Sequence, residues 1–398
     1  MCGKLRYTHA MKSADPVTIL QSLIRCRSVT PHEGGALDYL EKLLSGAGFH
    51  CHRLVFKDKD TADIDNLFAR FGTASPHLCF AGHTDVVPPG DETIWTHPPF
   101  DGVIADGKIF GRGACDMKGS VAAFAAAALD YVSAEGTKPG SISFLITGDE
   151  EAAAVNGTVK VLQWMKEHGQ VPDHCLLGEP SSVDKLGDAI KVGRRGSLSF
   201  VITVDGKQAH AAYPHKGDNP IPKLSRFIDR ISQVEIDKGN ANFDPSTLAV
   251  TSFDVGNPAT NVTPARAVAK FNIRYSTEHT PDTLKALVQK HAEAVKTELG
   301  GKWTAVAYEG ADAFITEPGA FVGLVQDAVA DMTGIVPKLS TSGGTSDARF
   351  VKDYCPVLEL GPLNATMHQT DEHIGVEELK TTTSIYAAVI ERYFGGEW

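Results

Sequence analysis

The sequence predicts an α/β protein that carries a smaller α+β domain as an insertion. Helical and strand-like patterns alternate between residues 15 and 195, as in a sheet covered by helices. Between residues 197 and 308 the strand-like runs instead alternate apolar and polar side chains with period two, which is typical of a half-buried sheet. The helix–strand alternation then resumes. We therefore predict a mixed central sheet flanked by helices and interrupted by an α+β sandwich.

Each predicted element has a local signal. The first helix begins at Asp15-Pro16, because aspartate is a favoured N-cap and proline a favoured first helical residue. A second helix ends at Gly48. Apolar or alternating runs predict strands at residues 66–72, 77–83, 141–147, 174–179, 197–210, 247–256, 265–276 and 356–361. Further helices are predicted at residues 117–133, 158–168, 221–234, 281–297, 319–332 and 376–393.

The change of pattern sets the domain boundaries. We assign residues 11–196 and 309–398 to the main domain and residues 197–308 to the inserted domain. Residues 1–10 lack the apolar block of a secretory signal, and we interpret them as a non-native or flexible leader.

Composition excludes several classes of protein. The formal net charge of −11 argues against nucleic acid as a partner. No apolar run approaches the roughly 18 residues needed to span a bilayer, so no membrane association is expected. The seven cysteines are scattered, without a C-x-x-C pair, and mostly lie in apolar segments. They favour a reducing, cytoplasmic compartment over a disulfide framework or a thiolate zinc site.

Five segments place metal-ligand side chains at the end of a predicted strand or the start of a predicted helix, where open α/β sheets bind their ligands. They read GHTDVVPPG (82–90), GRGACDMKGS (111–120), ITGDEEAAAVNGT (146–158), LLGEPSS (176–182) and GPLNATMHQTDEHI (361–374). Each alone has an ordinary explanation, such as a helix N-cap at Asp116. Three consecutive acids after a buried strand, however, are costly unless a cation compensates them.

Together the segments supply two imidazoles and three carboxylates. These are His83, Asp116, Glu151, Glu179 and His368. The set suits two zinc ions about 3.5–4 Å apart, each with one histidine and one glutamate and bridged by the aspartate. Because the set contains no cysteine, we predict a catalytic rather than a structural site. Asp85 can orient the imidazole of His83, and Glu150 is free to act as general base.

In order along the chain, GHTDVVPPG, GRGACDMKGS, GDEE, LLGEP and MHQTDE resemble the metal-site motifs of the M20 family of metallopeptidases and deacylases. The resemblance covers nearly the whole chain, including the inserted domain. It implies that His83 and Glu179 hold one zinc ion and that Asp116 bridges it to the other. The second ion is expected on Glu151 and His368. Cobalt is expected to substitute for zinc.

The resemblance also implies roles around the ligands. Asp85 is the expected orienting carboxylate and Glu150 the expected general acid/base. A cis peptide bond is expected after the bridging aspartate, between Asp116 and Met117. Ala152 departs from the family pattern, which has glycine there.

Within the family, four segments are most similar to members that hydrolyse N-succinyl-L,L-diaminopimelate to succinate and L,L-diaminopimelate in lysine biosynthesis. The segments are VGRRGSLSF (192–200), HAAYPHKGDNP (210–220), TSGGTSDARF (341–350) and ELGPLNATMHQTDE (359–372). By this resemblance the expected substrate contacts are Arg194, Arg195, Tyr213, Asn261, Arg274, Gly344, Thr345 and Asn364. Thr260 departs from the common Asn-Asn pair. Arginines suit an anionic acyl-amino-acid substrate, because guanidinium groups bind carboxylates bidentately.

The resemblance further implies a homodimer formed through the inserted domain, which also acts as a lid. His210 of this domain is expected to reach the partner's active site and to stabilise the developing oxyanion. The alternatives are another amidohydrolase of the family, such as an acetylornithine deacetylase or a dipeptidase, and a non-catalytic binding protein on the same fold. The last is disfavoured because Glu150 and all five ligands are present.

Overall fold

A computed structural model describes residues 14–396 of the chain. The predicted leader at residues 1–10 lies outside the described residues. The chain divides into two compact units. The first comprises the chain up to Val192, Thr316–Leu339 and the chain from Ser346 onward. The second comprises Gly193–Ile315 and Ser340–Thr345.

The described residues form helices and strands throughout. The helices are α1 (Pro16–Arg25), α2 (Ala36–Gly46), α3 (Lys118–Ser133), α4 (Thr158–Glu167), α5 (Pro220–Ser232), α6 (Pro281–Leu299), α7 (Ala320–Thr333), α8 (Ala348–Val351) and α9 (Val376–Gly395). The strands are β1 (His50–Asp58), β2 (Thr61–Phe71), β3 (His77–His83), β4 (Val103–Ala105), β5 (Lys108–Phe110), β6 (Ser141–Thr147), β7 (His174–Leu177), β8 (Ala189–Lys191), β9 (Gly193–Arg194), β10 (Gly196–Asp205), β11 (Ala209–His210), β12 (Thr247–Asp254), β13 (Val262–Thr263), β14 (Arg266–Tyr275), β15 (Lys302–Ala311), β16 (Phe314–Ile315), β17 (Lys338–Ser340), β18 (Val357–Glu359) and β19 (His373–Gly375).

An eight-stranded mixed sheet runs through the first unit in the order β1-β2-β6-β3-β7-β18-β8-β17. Its central strands β6, β3, β7 and β18 are parallel, whereas β1, β2 and β8 pair antiparallel to their neighbours. In the register, His83 lies opposite Thr147, and Ala81 lies opposite Leu177. The carboxyl ends of three strands therefore meet at one edge of the sheet.

The core of the first unit forms because α3 is apolar on nearly every side. Every residue of this helix from Lys118 to Leu129 is buried, which is typical of a helix enclosed between other elements. Phe124 of α3 stacks on Phe80 of β3 with ring centroids 4.4 Å apart. Phe144 of β6 and Tyr386 of α9 complete this aromatic cluster.

The second unit is a two-layer α+β structure. Its four strands form an antiparallel sheet in the order β12-β14-β10-β15. Buried and half-buried residues alternate without interruption along β10, so every second side chain faces the core. The apolar faces of α5 and α6 supply the other half of that core, with Phe227 and Val288 fully buried.

The predicted fold class is confirmed: the chain is a mixed α/β protein with a separate α+β unit. Strands β3 and β6 have the predicted bounds. The second unit starts at Gly193 and also includes Ser340–Thr345, whereas the sequence placed the inserted domain at residues 197–308. Strand β1 and the small sheet β19-β5-β4 were not predicted. Among the described residues, no helix is both long and apolar enough to cross a membrane.

Candidate metal centre

The predicted ligands of the first unit come together at the carboxyl edge of the central sheet. His83 is the last residue of β3, and Glu179 lies two residues beyond the end of β7. Glu150 and Glu151 follow β6. Parallel strands bring such residues close in space although they are distant in the sequence.

One half of the cluster surrounds His83. Its Nε2 atom lies 3.3 Å from Oδ1 of Asp116 and 3.7 Å from Oε1 of Glu179. All three atoms are buried, and none of them has a hydrogen-bond partner among the described residues. Buried polar atoms that lack partners are uncommon and need compensation. Three of them around one point are the arrangement expected of ligands to a cation.

The other half of the cluster surrounds His368. Its Nε2 atom lies 2.9 Å from Oε1 of Glu151 and 3.2 Å from Oδ2 of Asp116. Asp116 thus faces both imidazoles, with one carboxylate oxygen toward each. This is the geometry expected of a bridging ligand. His368 adopts a left-handed backbone conformation, with φ of 61°, which turns the loop after β18 toward the sheet edge.

Two glycines create the space in which Asp116 is held. Met117 is fully buried, and a Cβ atom on Gly82 would lie only 2.4 Å from its Cε atom. A Cβ atom on Gly178 would lie 2.7 Å from the same atom. The glycines before His83 and Glu179 therefore let Met117 enter the sheet edge and bring Asp116 beside both ligands. The peptide bond between Asp116 and Met117 is cis, as the resemblance implied.

Asp85 makes contacts that the sequence did not predict. Its backbone carbonyl, and not its carboxylate, accepts the hydrogen bond from Nδ1 of His83, at 2.8 Å. The carboxylate lies 3.6 Å from that nitrogen. Its two oxygens accept the backbone amides of Glu150 at 3.3 Å and Glu151 at 3.0 Å. Asp85 therefore ties the acidic loop after β6 to the end of β3.

The cluster favours positive charge at both imidazoles. The contacts with Asp116 and Glu151 raise the pKa of His368 to about 10. Burial acts to lower the pKa of His83, but Asp116 and the charge of Glu150 outweigh it and raise the pKa well above its usual value. Burial also acts to raise the pKa of Asp116, yet the two histidines hold it below its ordinary value.

The remaining carboxylates are crowded. Burial raises the pKa of Glu150 well above its usual value, and the charge of Asp347 adds to the rise. Burial likewise raises the pKa of Glu179, and the charge of Asp116 adds to it. Burial raises the pKa of Asp85 to about 6. Like charges in a buried site disfavour ionisation unless a cation compensates them.

The donor set fits a metal. Two groups of side chains have ligand atoms within 4.8 Å of one another, namely His83, Asp116 and Glu151, and His83, Glu150 and Glu179. Imidazole and carboxylate together suit zinc and similar divalent ions, and no thiolate takes part. The unpartnered atoms of His83, Asp116 and Glu179 are the observation that supports this fit.

Sequence reasoning missed the residues that support the ligand loops. Oδ2 of Asp149 accepts the amides of Val155 and Asn156 at 2.9 and 3.0 Å, which closes the loop that carries Glu150. Glu372 accepts the amides of Cys115 and Asp116. The available signals were the first acid of the DEE triplet, Asp149, and the acidic residue four positions after His368, Glu372.

The predicted substrate arginines lie in the second unit. Arg195 and Arg274 are neighbours and half-buried, and each has a buried N–H group without a hydrogen-bond partner among the described residues. Burial lowers the pKa of Arg274, and the charge of Arg195 lowers it further. Arg194 instead donates to the carbonyl of Gly344 at 3.1 Å. Arg195 and Arg274 are therefore the pair available to an anion.

The other predicted contacts are dispersed. His210 is exposed, and its Nδ1 atom accepts the amide of Ala212 at 3.0 Å. Tyr213, Asn261, Gly344 and Thr345 are exposed residues of the second unit, and Asn364 is a half-buried residue of the first. Each unit therefore carries part of the predicted set.

A cluster of imidazoles and carboxylates at the carboxyl edge of a mixed sheet, with the half-buried Glu150 beside it, defines a metal-dependent hydrolase. The chain belongs to peptidase family M20/M25/M40, whose sequence pattern matches residues 79–392. The predicted family is confirmed.

Individual members of the family are similar to this chain over almost its full length. A succinyl-diaminopimelate desuccinylase of Rhodopseudomonas palustris (strain TIE-1) is 56% identical over 382 residues, covering 95% of this chain and 98% of the relative. A protein of the same name from Nitrobacter hamburgensis is 52% identical over 389 residues, covering 96% and 100%.

Solved structures share the fold. A tripeptidase from Staphylococcus aureus superposes with a TM-score of 0.76 at 20% identity, covering 96% of this chain and 99% of its own. A Bacillus subtilis protein described as a dinuclear metal binding peptidase from the M20 family superposes with a TM-score of 0.70 at 16% identity, covering 96% and 98%.

Proposed function

We propose that the protein hydrolyses N-succinyl-L,L-diaminopimelate to succinate and L,L-diaminopimelate, a step of lysine biosynthesis. The convergence of five ligands and Glu150 at one sheet edge carries the hydrolase part of the proposal. The relatives named succinyl-diaminopimelate desuccinylase, which align over nearly the full length of both chains, support this choice of substrate.

We propose two zinc ions, for which cobalt can substitute. His83 and Glu179 would hold one ion, Glu151 and His368 the other, and Asp116 both. When bound, such ions polarise a carbonyl group and lower the pKa of water.

Glu150 is proposed as the general acid/base. It neighbours the ligand Glu151 without being assigned to either ion, and its half-buried side chain lies within reach of His83 and Glu179. Its raised pKa suits a group that takes a proton from water and returns it to the leaving amine. The carboxylate of Asp85 accepts the backbone amide of Glu150, so the backbone from which this side chain projects is held before substrate binds.

His210 is proposed to stabilise the oxyanion of the partner subunit's reaction. Because its Nδ1 atom accepts the Ala212 amide, the neutral imidazole carries its proton on Nε2, as a hydrogen-bond donor to an oxyanion must. Strand β12 is an edge of the four-stranded sheet with Val250 and Phe253 exposed. An exposed apolar edge strand favours pairing with a second copy, which supports the proposed homodimer.

Arg195 and Arg274 are proposed to bind a substrate carboxylate. Two neighbouring guanidinium groups with unpartnered buried N–H groups repel each other and are stabilised by an anion. An extra carboxylate distinguishes a succinyl from an acetyl group. The predicted roles of Tyr213, Asn261, Gly344, Thr345 and Asn364 as further contacts remain part of the proposal.

The decisive experiment measures amine release from N-succinyl-L,L-diaminopimelate and from N-acetylornithine, with zinc quantified in the same sample. We expect turnover of the succinylated substrate only. Glu150→Gln should keep the zinc and lose activity by about 10²- to 10⁴-fold, whereas the surface control Glu135→Gln should behave as wild type. Preference for the acetylated substrate, or full activity of Glu150→Gln, would refute the proposal.

The dimer can be tested by complementation. His210→Ala and Glu150→Gln should each be inactive as homodimers. If His210 acts across the interface, a dimer with one subunit of each kind has one intact site, so an equilibrated mixture should recover about a quarter of the wild-type activity. A mixture that stays inactive, or a monomer in sedimentation, contradicts the proposal.

We also propose a cytoplasmic location, because all six cysteines of the described residues are free thiols.

A further inference from the structure

A short β-ladder leads into two segments that carry proposed metal ligands. Strands β5 and β19 pair antiparallel, and the ladder ends where Phe110 lies opposite His373. Beyond this point one segment continues through residues 111–116 to Asp116, and the other runs back through residues 372–368 to His368. No strand pairing holds these two segments to each other, although their side chains must face one cation.

Glu372 connects the two segments. Its Oε1 atom accepts the backbone amides of Cys115 at 3.0 Å and Asp116 at 3.2 Å. Its backbone carbonyl accepts the amide of Gly111 at 2.9 Å. The side chain of Glu372 is fully buried. A buried carboxylate with two amide donors fixes the peptide groups around the proposed bridging ligand.

Arg112, in the segment that carries Asp116, also binds the segment that carries His368. Its Nη1 atom donates to Oε2 of Glu372 at 2.7 Å and to the carbonyl of Gln369 at 3.2 Å. Its Nη2 atom lies 3.5 Å from the carbonyl of His368. The guanidinium group is 3% exposed and lies 5.2 Å from the ring centre of Trp95. A guanidinium group carries five donors in one plane on three nitrogens, so it can bind a carboxylate and two carbonyls in a fixed arrangement that the single nitrogen of an ammonium group does not reproduce.

We propose that Arg112 and Glu372 are positioning residues, which hold the two ligand-bearing segments of the metal centre at the separation that a cation requires. A buried ion pair alone is weak support for stability, but this pair binds the amide of one ligand and the backbone beside the other. Neither residue touches the substrate or a metal in this role. The inference rests on the proposed metal centre and adds to it the residues that set its metal affinity.

The test uses variants of the full-length protein with graded effects. In Glu372→Gln the remaining oxygen can still accept the amides of Cys115 and Asp116, while the new amide group faces Arg112 without bonding to it. Glu372→Ala removes every contact of the side chain. Arg112→Lys keeps the charge but loses the planar set of donors. The control is a pair in the second unit, Lys223→Met with Asp218→Asn, which removes another partly buried ion pair.

Zinc affinity is measured by competition with a chromophoric chelator on protein that circular dichroism shows to be folded. We expect about 10-fold weaker zinc binding for Glu372→Gln and Arg112→Lys and about 100-fold for Glu372→Ala, the range typical of groups that orient metal ligands. At saturating zinc the kcat of Glu372→Gln should recover, with KM unchanged throughout. A purely structural pair would lower the unfolding midpoint without this dependence on zinc.

Each remaining outcome decides a different question. If the unsubstituted protein binds no metal, the proposed function itself fails. If it binds zinc and the folded Gln and Lys variants bind zinc equally well, only the positioning role fails. The same result follows if the control pair weakens zinc binding as much as Glu372→Gln does. Should Glu372→Ala not fold, the Gln and Lys variants still decide.

Discussion

Substitution of Asp85 by asparagine should weaken the metal centre although Asp85 is not a proposed ligand. The carboxylate is 1% exposed, and each of its oxygens accepts one amide, from Glu150 and from Glu151. Asparagine has nearly the same shape but only one acceptor oxygen. Its amide group must therefore face one of the two N–H donors, and the loop that carries both glutamates has to move or lose a hydrogen bond.

The cost follows from these contacts. A hydrogen bond to a charged group contributes about 1.5–3 kcal/mol, and a buried donor left without a partner costs about 1–3 kcal/mol. Because the affected amides belong to the acidic loop, we expect the cost to appear as lost metal affinity. Because affinity changes tenfold for every ~1.4 kcal/mol, the Asp85→Asn variant should bind zinc about 10- to 100-fold more weakly. It should also lose activity at limiting zinc.

The assay compares zinc affinity, turnover and urea unfolding for wild type and Asp85→Asn. The control is Asp237→Asn in the second unit. One oxygen of Asp237 accepts the amides of Gly239 and Ser246, and the other accepts the hydroxyls of Ser246 and Ser276, so this aspartate also has all its acceptors in use but lies in a unit without a proposed metal ligand. The control should lose stability and keep its zinc affinity. Equal zinc affinity and turnover in Asp85→Asn and wild type would refute the inference that Asp85 holds the acidic loop.

Two further predictions concern stability. Burial and the charge of Arg70 lower the pKa of His77 to about 4, so only the unfolded chain gains this proton between pH 6.5 and 4, and stability falls as the pH falls. In urea titrations of chelator-treated protein, His77→Gln should remove up to about 3 kcal/mol of that decline, and an unchanged decline would contradict the prediction. A Cβ atom on Gly361 would lie 2.4 Å from the carbonyl oxygen of Glu179. Gly361→Ala should therefore lower the free energy of unfolding by about 1–3 kcal/mol and weaken zinc binding. The control Gly323→Ala, in a helix with open space around it, should leave zinc binding unchanged and stability unchanged or slightly higher.

The parts of the fold that the sequence predicted are those with a strong apolar pattern. Strands β3 and β6 are buried at every position, and their sequences, HLCFAGH and SISFLIT, are apolar except at their ends and at Gly82 and Ser143. Strand β1 was missed because it lies at the edge of the sheet and its side chains are mostly exposed or half-buried. The segment Ser340–Thr345 joins the second unit through contacts far apart in the sequence, which no local pattern reveals.

The candidate site also has parts that the sequence predicted and parts that it did not. Ligand types and strand ends are visible in the sequence, and the fold brings His83, Asp116 and Glu179 together as predicted. The contacts of Asp85 with the acidic loop and of Glu372 with residues 115 and 116 depend on how loops pack on each other. Loop geometry is fixed by hydrogen bonds between distant backbone groups, for which a single sequence has no periodic signal.

Lys118 is a buried cation whose charge interacts with the carboxylates of Glu372 and Asp85. Lys118 is fully buried, and its ammonium group donates to the carbonyl of Cys26 at 2.9 Å. Burial lowers the pKa of Lys118 to about 8, so the group is still mainly protonated at neutral pH. The carboxylates of the cluster are Asp85, Asp116, Glu150, Glu151 and Glu179. If the two proposed divalent ions are bound, their four positive charges leave one of these five negative charges uncompensated, and the ammonium group of Lys118 would help to balance it. Burial and the charge of Asp116 raise the pKa of Glu179, and Asp116 and Glu150 raise the pKa of His83 against the effect of burial. Both groups therefore favour their protonated forms where no cation compensates the carboxylates.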